Sequence, residues 1–120
     1  MDNKTTVEDL KNLVKTFCEQ RDWDQFHNPK ELAIGISTEA NELLQIFRFK
    51  NEEQMKELMS SNKKNEVQEE LADVVYFALR FAQMNDIDLS SVIIDKIEKN
   101  NAKYPVDKAK GCNKKYNEYK

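Results

Sequence analysis

Apolar residues recur at three- and four-residue steps through most of this chain, the mark of helices that each bury one stripe. Val7, Leu10, Leu13, Val14 and Phe17 form a first such face, opened by Thr6 as cap, with Asp9 as a shorter stand-in for the Glu of a capping box. Arg21 to His27 ends that helix. Asn28 as N-cap and Pro29 as first helical residue open a second helix, running to about Arg48. Residues 51–64 are polar and charged; Met55, Leu58 and Met59 could support a short helix, but the segment reads mainly as a solvated connection. A third helix, from about Asn62 to Met84, carries Val67, Leu71, Val74, Ala78 and Phe81 on one stripe. Asp88 caps a fourth, with Leu89, Val92, Ile93 and Ile97 inward. Tyr104-Pro105 ends it, because the residue before a proline disfavours helix. Val106 to Lys120 is polar and lysine-rich and reads as an irregular tail. No strand-like alternation and no repeat is present. The pattern predicts an all-α protein of four main helices, with one domain over residues 1–105 and a polar tail over 106–120.

Two acidic pairs interrupt the pattern. On the third helix Glu66, Glu70, Asp73 and Phe77 form a stripe immediately beside the apolar one, at about 100° per residue. A carboxylate at the edge of a core needs a cation, a donor or a proton. A lone Glu-x-x-Asp is ordinarily a solvated face. A second pair, Glu39-x-x-Glu42, changes that reading. On a wheel with Leu32 at zero, Ile36 and Leu43 fall within about 40° on one side and Glu39 about 20° on the other. Glu39 therefore lies inside the apolar stripe, and Glu42 near its edge. Two facing helices would concentrate all four carboxylates, and like charges that close do not all stay ionised without cations. A hard divalent metal with oxygen ligands is the natural partner.

The rest of the chain narrows the chemistry. Its 120 residues suit one domain, and 39% hydrophobic against 34% charged residues leaves a thin core that favours association between copies. A net charge of −3 argues against general nucleic-acid binding. Gly35 and Gly111 are the only glycines, so phosphate-cradling glycine loops are absent. Cys18 and Cys112, with no CxxC, fit a reducing cytosol and no cysteine zinc site. No run approaches a membrane span, and Met1 to Lys11 is too polar for a signal peptide. His27, the one histidine, beside a helix start, reads as structural. Trp23 reads as a core or interface ring that could also stack on a base. Cys18 and the methionines read as packing residues.

With both acidic pairs in place, the chain resembles the all-α nucleoside triphosphate pyrophosphohydrolases of the MazG type, nearest the branch containing the dCTP pyrophosphatases. The family pattern is Glu-x-x-Glu, a variable spacer, then Glu-x-x-Asp. The likeness extends from Arg21-Asp-Trp23 and Phe26-His-x-Pro29, through Glu39 to Lys50 and Glu69-Glu-Leu-x-Asp73, to Asp88-Leu89, Lys96, Asn100 and Tyr104-Pro105. It implies a four-helix MazG-like bundle, oligomeric as a tetramer built from two dimers. It implies an enzyme that clears nucleotides and acts on a nucleoside triphosphate, while the cysteines, charge and hydropathy point to a cytoplasmic protein that engages neither nucleic acid nor membrane. Glu39, Glu42, Glu70 and Asp73 match the family's catalytic magnesium ligands, with manganese as a substitute ion. Trp23 matches an aromatic of the base pocket, Lys96 and Asn100 match residues that face the nucleotide, and Tyr104 matches one near the phosphates; Lys103 is a further phosphate candidate. Phe49 stands where the dCTP branch has Trp, and Phe77 where it tends to have Tyr. Both keep a ring and lose a donor, which bears on base preference more than on the chemistry.

The implied reaction is hydrolysis of a nucleoside triphosphate to monophosphate and pyrophosphate, with dCTP-like pyrimidine nucleotides as substrates. Two other readings compete. A di-metal helical bundle that handles oxygen needs Glu-x-x-His pairs, and this chain has none. A non-enzymatic helical oligomer would tie its carboxylates into ion pairs with Lys or Arg. Such a module would be indifferent to magnesium.

Overall fold

Local capping chemistry sets most of the helix boundaries. The computed structural model describes residues 1–119; Lys120 of the tail lies outside the described residues. In α1, Val7–Gln20, the Asp9 amide donates to Thr6 Oγ1 and the Thr6 amide to Asp9 Oδ2, both at 3.0 Å, which completes the expected capping box. The helix closes in a Schellman arrangement. The Trp23 amide reaches back to the Cys18 carbonyl and the Asp22 amide to that of Glu19, with Asp22 left-handed at φ 55°. A 3₁₀ turn, Asp24–Phe26, leads to α2, Pro29–Phe47, where Asn28 Oδ1 accepts from the Glu31 amide at 2.8 Å. The main helices follow as α4, Lys64–Met84, and α5, Leu89–Lys103.

The stretch 51–64 is not the solvated connection its composition suggests. It holds a two-turn helix, α3, Glu52–Met59. Asn51 and Gln54 satisfy each other's amides at 2.9 Å, and Leu58 is buried. The tail is likewise not wholly irregular, since it forms a short α6, Val106–Ala109, and a 3₁₀ turn, Tyr116–Glu118. Asp88 sits at the cap position of α5, but its carboxylate accepts the Ser91 hydroxyl and no backbone amide. No strand occurs among the described residues. Among them, too, no helix is long and apolar enough to cross a membrane.

The chain divides into two compact units, Met1–Asp86 and the segment from Ile87 onward. In the first, α4 packs on α2 and on α1. Ascending positions of α2 meet descending ones of α4, Gly35 against Phe77 and Glu39 against Asp73, so these two helices are antiparallel. The core is small: Cys18, Leu32, Leu58, Val67, Leu79 and Ala82 are the buried apolar side chains. Leu71, placed on the buried stripe by its spacing, is half exposed, because α4 turns its carboxylate stripe toward α2. In the second unit Val92, Ile93 and Ile97, expected to face inward, are each more than half exposed. A unit whose other regular elements are α6 and one 3₁₀ turn has too little apolar surface of its own to cover a helix of 15 residues.

Candidate active site

The α2–α4 seam gathers the carboxylates. One oxygen from each of Glu39, Glu70 and Asp73 lies within 4.8 Å of the other two. Residues three or four apart share a helix face, so Glu42 follows Glu39 onto the same seam, and Glu70 precedes Asp73. The helices come this close because of Gly35, one turn before Glu39. A Cβ there would stand 2.5 Å from two ring carbons of Phe77, one turn after Asp73. The missing side chain of Gly35 thus sets the separation at which the two acidic pairs face each other.

The electrostatics of the cluster are unfavourable without a cation. Glu39 Oε2 and Glu70 Oε2 are buried and have no hydrogen-bond partner among the described residues. Burial, with the charge of Glu42 next, raises the Glu39 carboxyl above its ordinary value. Burial likewise lifts Glu70 to about 7, and Glu42 is again the strongest neighbour. None of the four carboxylates makes an ion pair among the described residues. Orphaned buried oxygens on an all-oxygen donor set fit a hard divalent cation and give soft metals little to hold.

An apolar cavity of about 430 Å³ adjoins the cluster. Leu13, Val14, Phe17, Trp23 and Tyr76 line it, and Asp73 belongs to its wall as well as to the cluster. The rings are set edge to face, Phe17 to Trp23 at 5.6 Å and Phe17 to Tyr76 at 6.0 Å between centroids. Tyr76 Oη is engaged with Cys18 Sγ at 3.1 Å, and burial followed by this contact raises its pKa. The cavity therefore offers stacking surface and little hydrogen-bonding capacity.

A buried cation anchors the wall that carries Trp23. Arg80 is 1% exposed, a position in which an unpaired charge would be very costly. It forms an ion pair with Asp24, donates from Nε to His27 Nδ1 at 3.0 Å, and donates from an Nη to Gln83 Oε1 at 2.7 Å. These contacts tie the 3₁₀ turn next to Trp23 onto α4. His27 is thereby structural, and burial with the neighbouring guanidinium lowers its pKa.

The remaining predicted residues fall in several places. Phe77 packs on Gly35 and edge-on to Tyr76 at 5.1 Å, and does not line the aromatic cavity. Phe49 is 90% exposed under the Arg48 guanidinium and is not part of that cavity. Lys96, Asn100, Lys103 and Tyr104 belong to the second unit. There Lys96 is exposed, Lys103 lies over the Tyr116 ring at 5.1 Å, and Tyr104 stacks edge-on against Tyr116 and Tyr119. Sequence reasoning missed Val14, Phe17 and Tyr76 as cavity walls and Arg80 as their anchor. Arg80 carried a signal, a lone charge between Leu79 and Phe81 in an otherwise apolar run. The cavity walls carried none, because their spacing is that of any packed helix.

An all-α chain whose antiparallel helices face carboxylates across a seam, with an aromatic cavity alongside, defines a metal-binding helical class. The chain belongs to the MazG-like family, whose family model matches residues 34–119. It is 32% identical over 115 residues to dCTP pyrophosphatase 1 of Bos taurus, covering 95% of this chain and 68% of that protein. It is likewise 32% identical over 114 residues to dCTP pyrophosphatase 1 of Homo sapiens, covering 94% and 67%. Among solved structures, a pyrophosphatase from Archaeoglobus fulgidus is similar with a TM-score of 0.77 and 36% identity, over 82% of this chain and 91% of that one.

Proposed function

We propose that this chain is a magnesium-dependent nucleoside triphosphate pyrophosphohydrolase, cytoplasmic and homo-oligomeric, that converts dCTP-like pyrimidine nucleotides to monophosphate and pyrophosphate. The observation that carries this reading is Asp73, shared between the carboxylate cluster and the aromatic cavity. A base stacked in the cavity has its phosphates directed to the metal ligands. The names of the relatives supply the pyrimidine nucleotide. The unpaired state of the cluster speaks against a structural module built on carboxylate ion pairs.

Glu39, Glu42, Glu70 and Asp73 would hold the cation, which neutralises phosphate charge and makes water more acidic when bound. Glu39 and Glu42 are our candidates for orienting the attacking water and taking its proton. Trp23 and Phe17 supply stacking of about 1–3 kcal/mol per base, which tolerates any base. Discrimination therefore requires a polar edge reader, a role we assign to Asn100 on the strength of the resemblance. On the same basis Lys96, Lys103 and Tyr104 belong to substrate binding, residues 1–105 to the catalytic domain and 106–120 to an appended segment. A pyrophosphate-release assay over dCTP, dTTP, dUTP and dATP with magnesium tests the reading. dCTP is expected to rank first by kcat/KM, and a purine in that place would reject the assigned base preference.

A further inference from the structure

A second cavity, of about 390 Å³, meets the cluster toward the N-terminal end of α4. Glu42 and Glu70 belong to its wall, as does Glu66 one turn before Glu70, and so do Lys50 and Lys63. Neither ammonium makes an ion pair or a hydrogen bond among the described residues. Carboxylates and ammoniums thus share one cavity without neutralising each other. Both sets remain available, the carboxylates to cations and the lysines to an anion.

The chain holds both lysines by local structure. Lys50 follows a type II turn in which its amide bonds the Phe47 carbonyl at 3.0 Å, with Arg48 at φ −56°, ψ 135° and Phe49 left-handed at φ 68°. Lys63 caps α4 without a side-chain cap of its own. The amides of Lys64, Asn65 and Glu66 already bond carbonyls of the preceding turn. An anion here would therefore be held by the lysine side chains and not by free helix amides.

We propose that this cavity is the subsite for the two phosphates that leave as pyrophosphate, with Lys50 and Lys63 as its cationic walls. The proposal rests on the function given above and deepens it. The aromatic cavity touches the cluster at Asp73 and the lysine cavity touches it at Glu70, so a substrate that spans the cluster has only one polarity. Its base lies at the Asp73 end and its terminal phosphates at the Lys63 end. The ten-residue step from Lys63 to Asp73 corresponds to about 15 Å along α4, comparable to an extended nucleoside triphosphate. Hydrolysis joins the water oxygen to the α-phosphorus and breaks the bond from that phosphorus to the bridging oxygen. The bridging oxygen leaves on pyrophosphate with the electron pair, one water proton passes to a cluster carboxylate, and the other is lost from the new monophosphate to solvent. Negative charge therefore grows on the lysine side of the cluster as the bond breaks.

Calorimetric titration separates the two ends of the substrate. Inorganic pyrophosphate with magnesium, and dCMP with magnesium, are titrated into the wild type and into Lys50→Gln, Lys63→Gln and the double variant. Both lysines are exposed and unbonded, so these changes leave folding intact, and Lys63→Arg serves as the charge-retaining control. The expected result is a loss of roughly tenfold in pyrophosphate affinity per lysine, with dCMP affinity unchanged and Lys63→Arg close to wild type. If the wild type hydrolyses triphosphates while the double variant binds pyrophosphate as before, or loses dCMP equally, this subsite is wrong and the function stands. A wild type that neither hydrolyses triphosphates nor binds pyrophosphate overturns both.

Discussion

Single residues define the site by being unsatisfied or by being fully satisfied. Glu70 is of the first kind. Its carboxyl titrates near 7 in the fold against an ordinary 4.5, so the folded state favours the protonated form. Its contribution to metal-free stability is therefore present below about pH 4.5 and lost as pH rises toward 7. His27 acts in the opposite sense: its lowered pKa makes protonation unfavourable in the fold, so stability falls as pH drops below 6.5. A bound cation removes the Glu70 penalty, so the rise in Tm on adding magnesium should be larger at pH 8 than at pH 5. An equal rise at both would mean that Glu70 is not a ligand. Arg80 is of the second kind. Arg80→Ala leaves Asp24 and His27 without their partner and should cost about 3–5 kcal/mol in urea unfolding; a loss below ~1 kcal/mol would show that the clamp on the Trp23 turn is dispensable. Glu39 could be found in the sequence because a charge inside an apolar stripe conflicts with its surroundings. The engagement of His27 could not, since its partner Arg80 lies 53 positions from it, and 56 from Asp24, along the chain.

At the scale of elements, helix starts were legible where the cap is a local bond. Thr6 with Asp9 and Asn28 with Pro29 act as their spacing implies. The same chemistry opens α3 through Asn51 and Gln54, yet the polar composition of that stretch concealed it. What each helix face touches was less legible. Periodicity marks a stripe as apolar without naming its partner, which is why Leu71 is exposed while Glu70 is half-buried. The Gly35–Phe77 contact belongs to the same class. Gly35→Ala puts a methyl at 2.5 Å from the Phe77 ring and forces α2 and α4 apart. We expect a loss of about 1–3 kcal/mol together with weaker magnesium binding, both largely restored by adding Phe77→Ala. Calorimetric titration of magnesium into both variants checks this, and wild-type affinity in Gly35→Ala would show that the contact does not set the metal site.

For the whole molecule, the thin core leaves Leu44, Leu71 and Val75 of the first unit, and Val92, Ile93 and Ile97 of the second, substantially exposed. Exposed apolar rows of this kind mark association surfaces. Light scattering at micromolar concentration should find a homo-oligomer, with a tetramer expected, and a species of only 14.1 kDa would reject that assembly. The central claim is that Glu39, Glu42, Glu70 and Asp73 form a metal site for triphosphate hydrolysis. Its most direct test is pyrophosphate release from dCTP by wild type and Glu39→Gln, each with magnesium and with chelator. The account predicts turnover that needs magnesium in the wild type and falls by at least roughly a hundredfold in Glu39→Gln, which keeps the size and loses the charge. Wild-type turnover in a folded Glu39→Gln, or release of pyrophosphate undiminished by chelator, would contradict it.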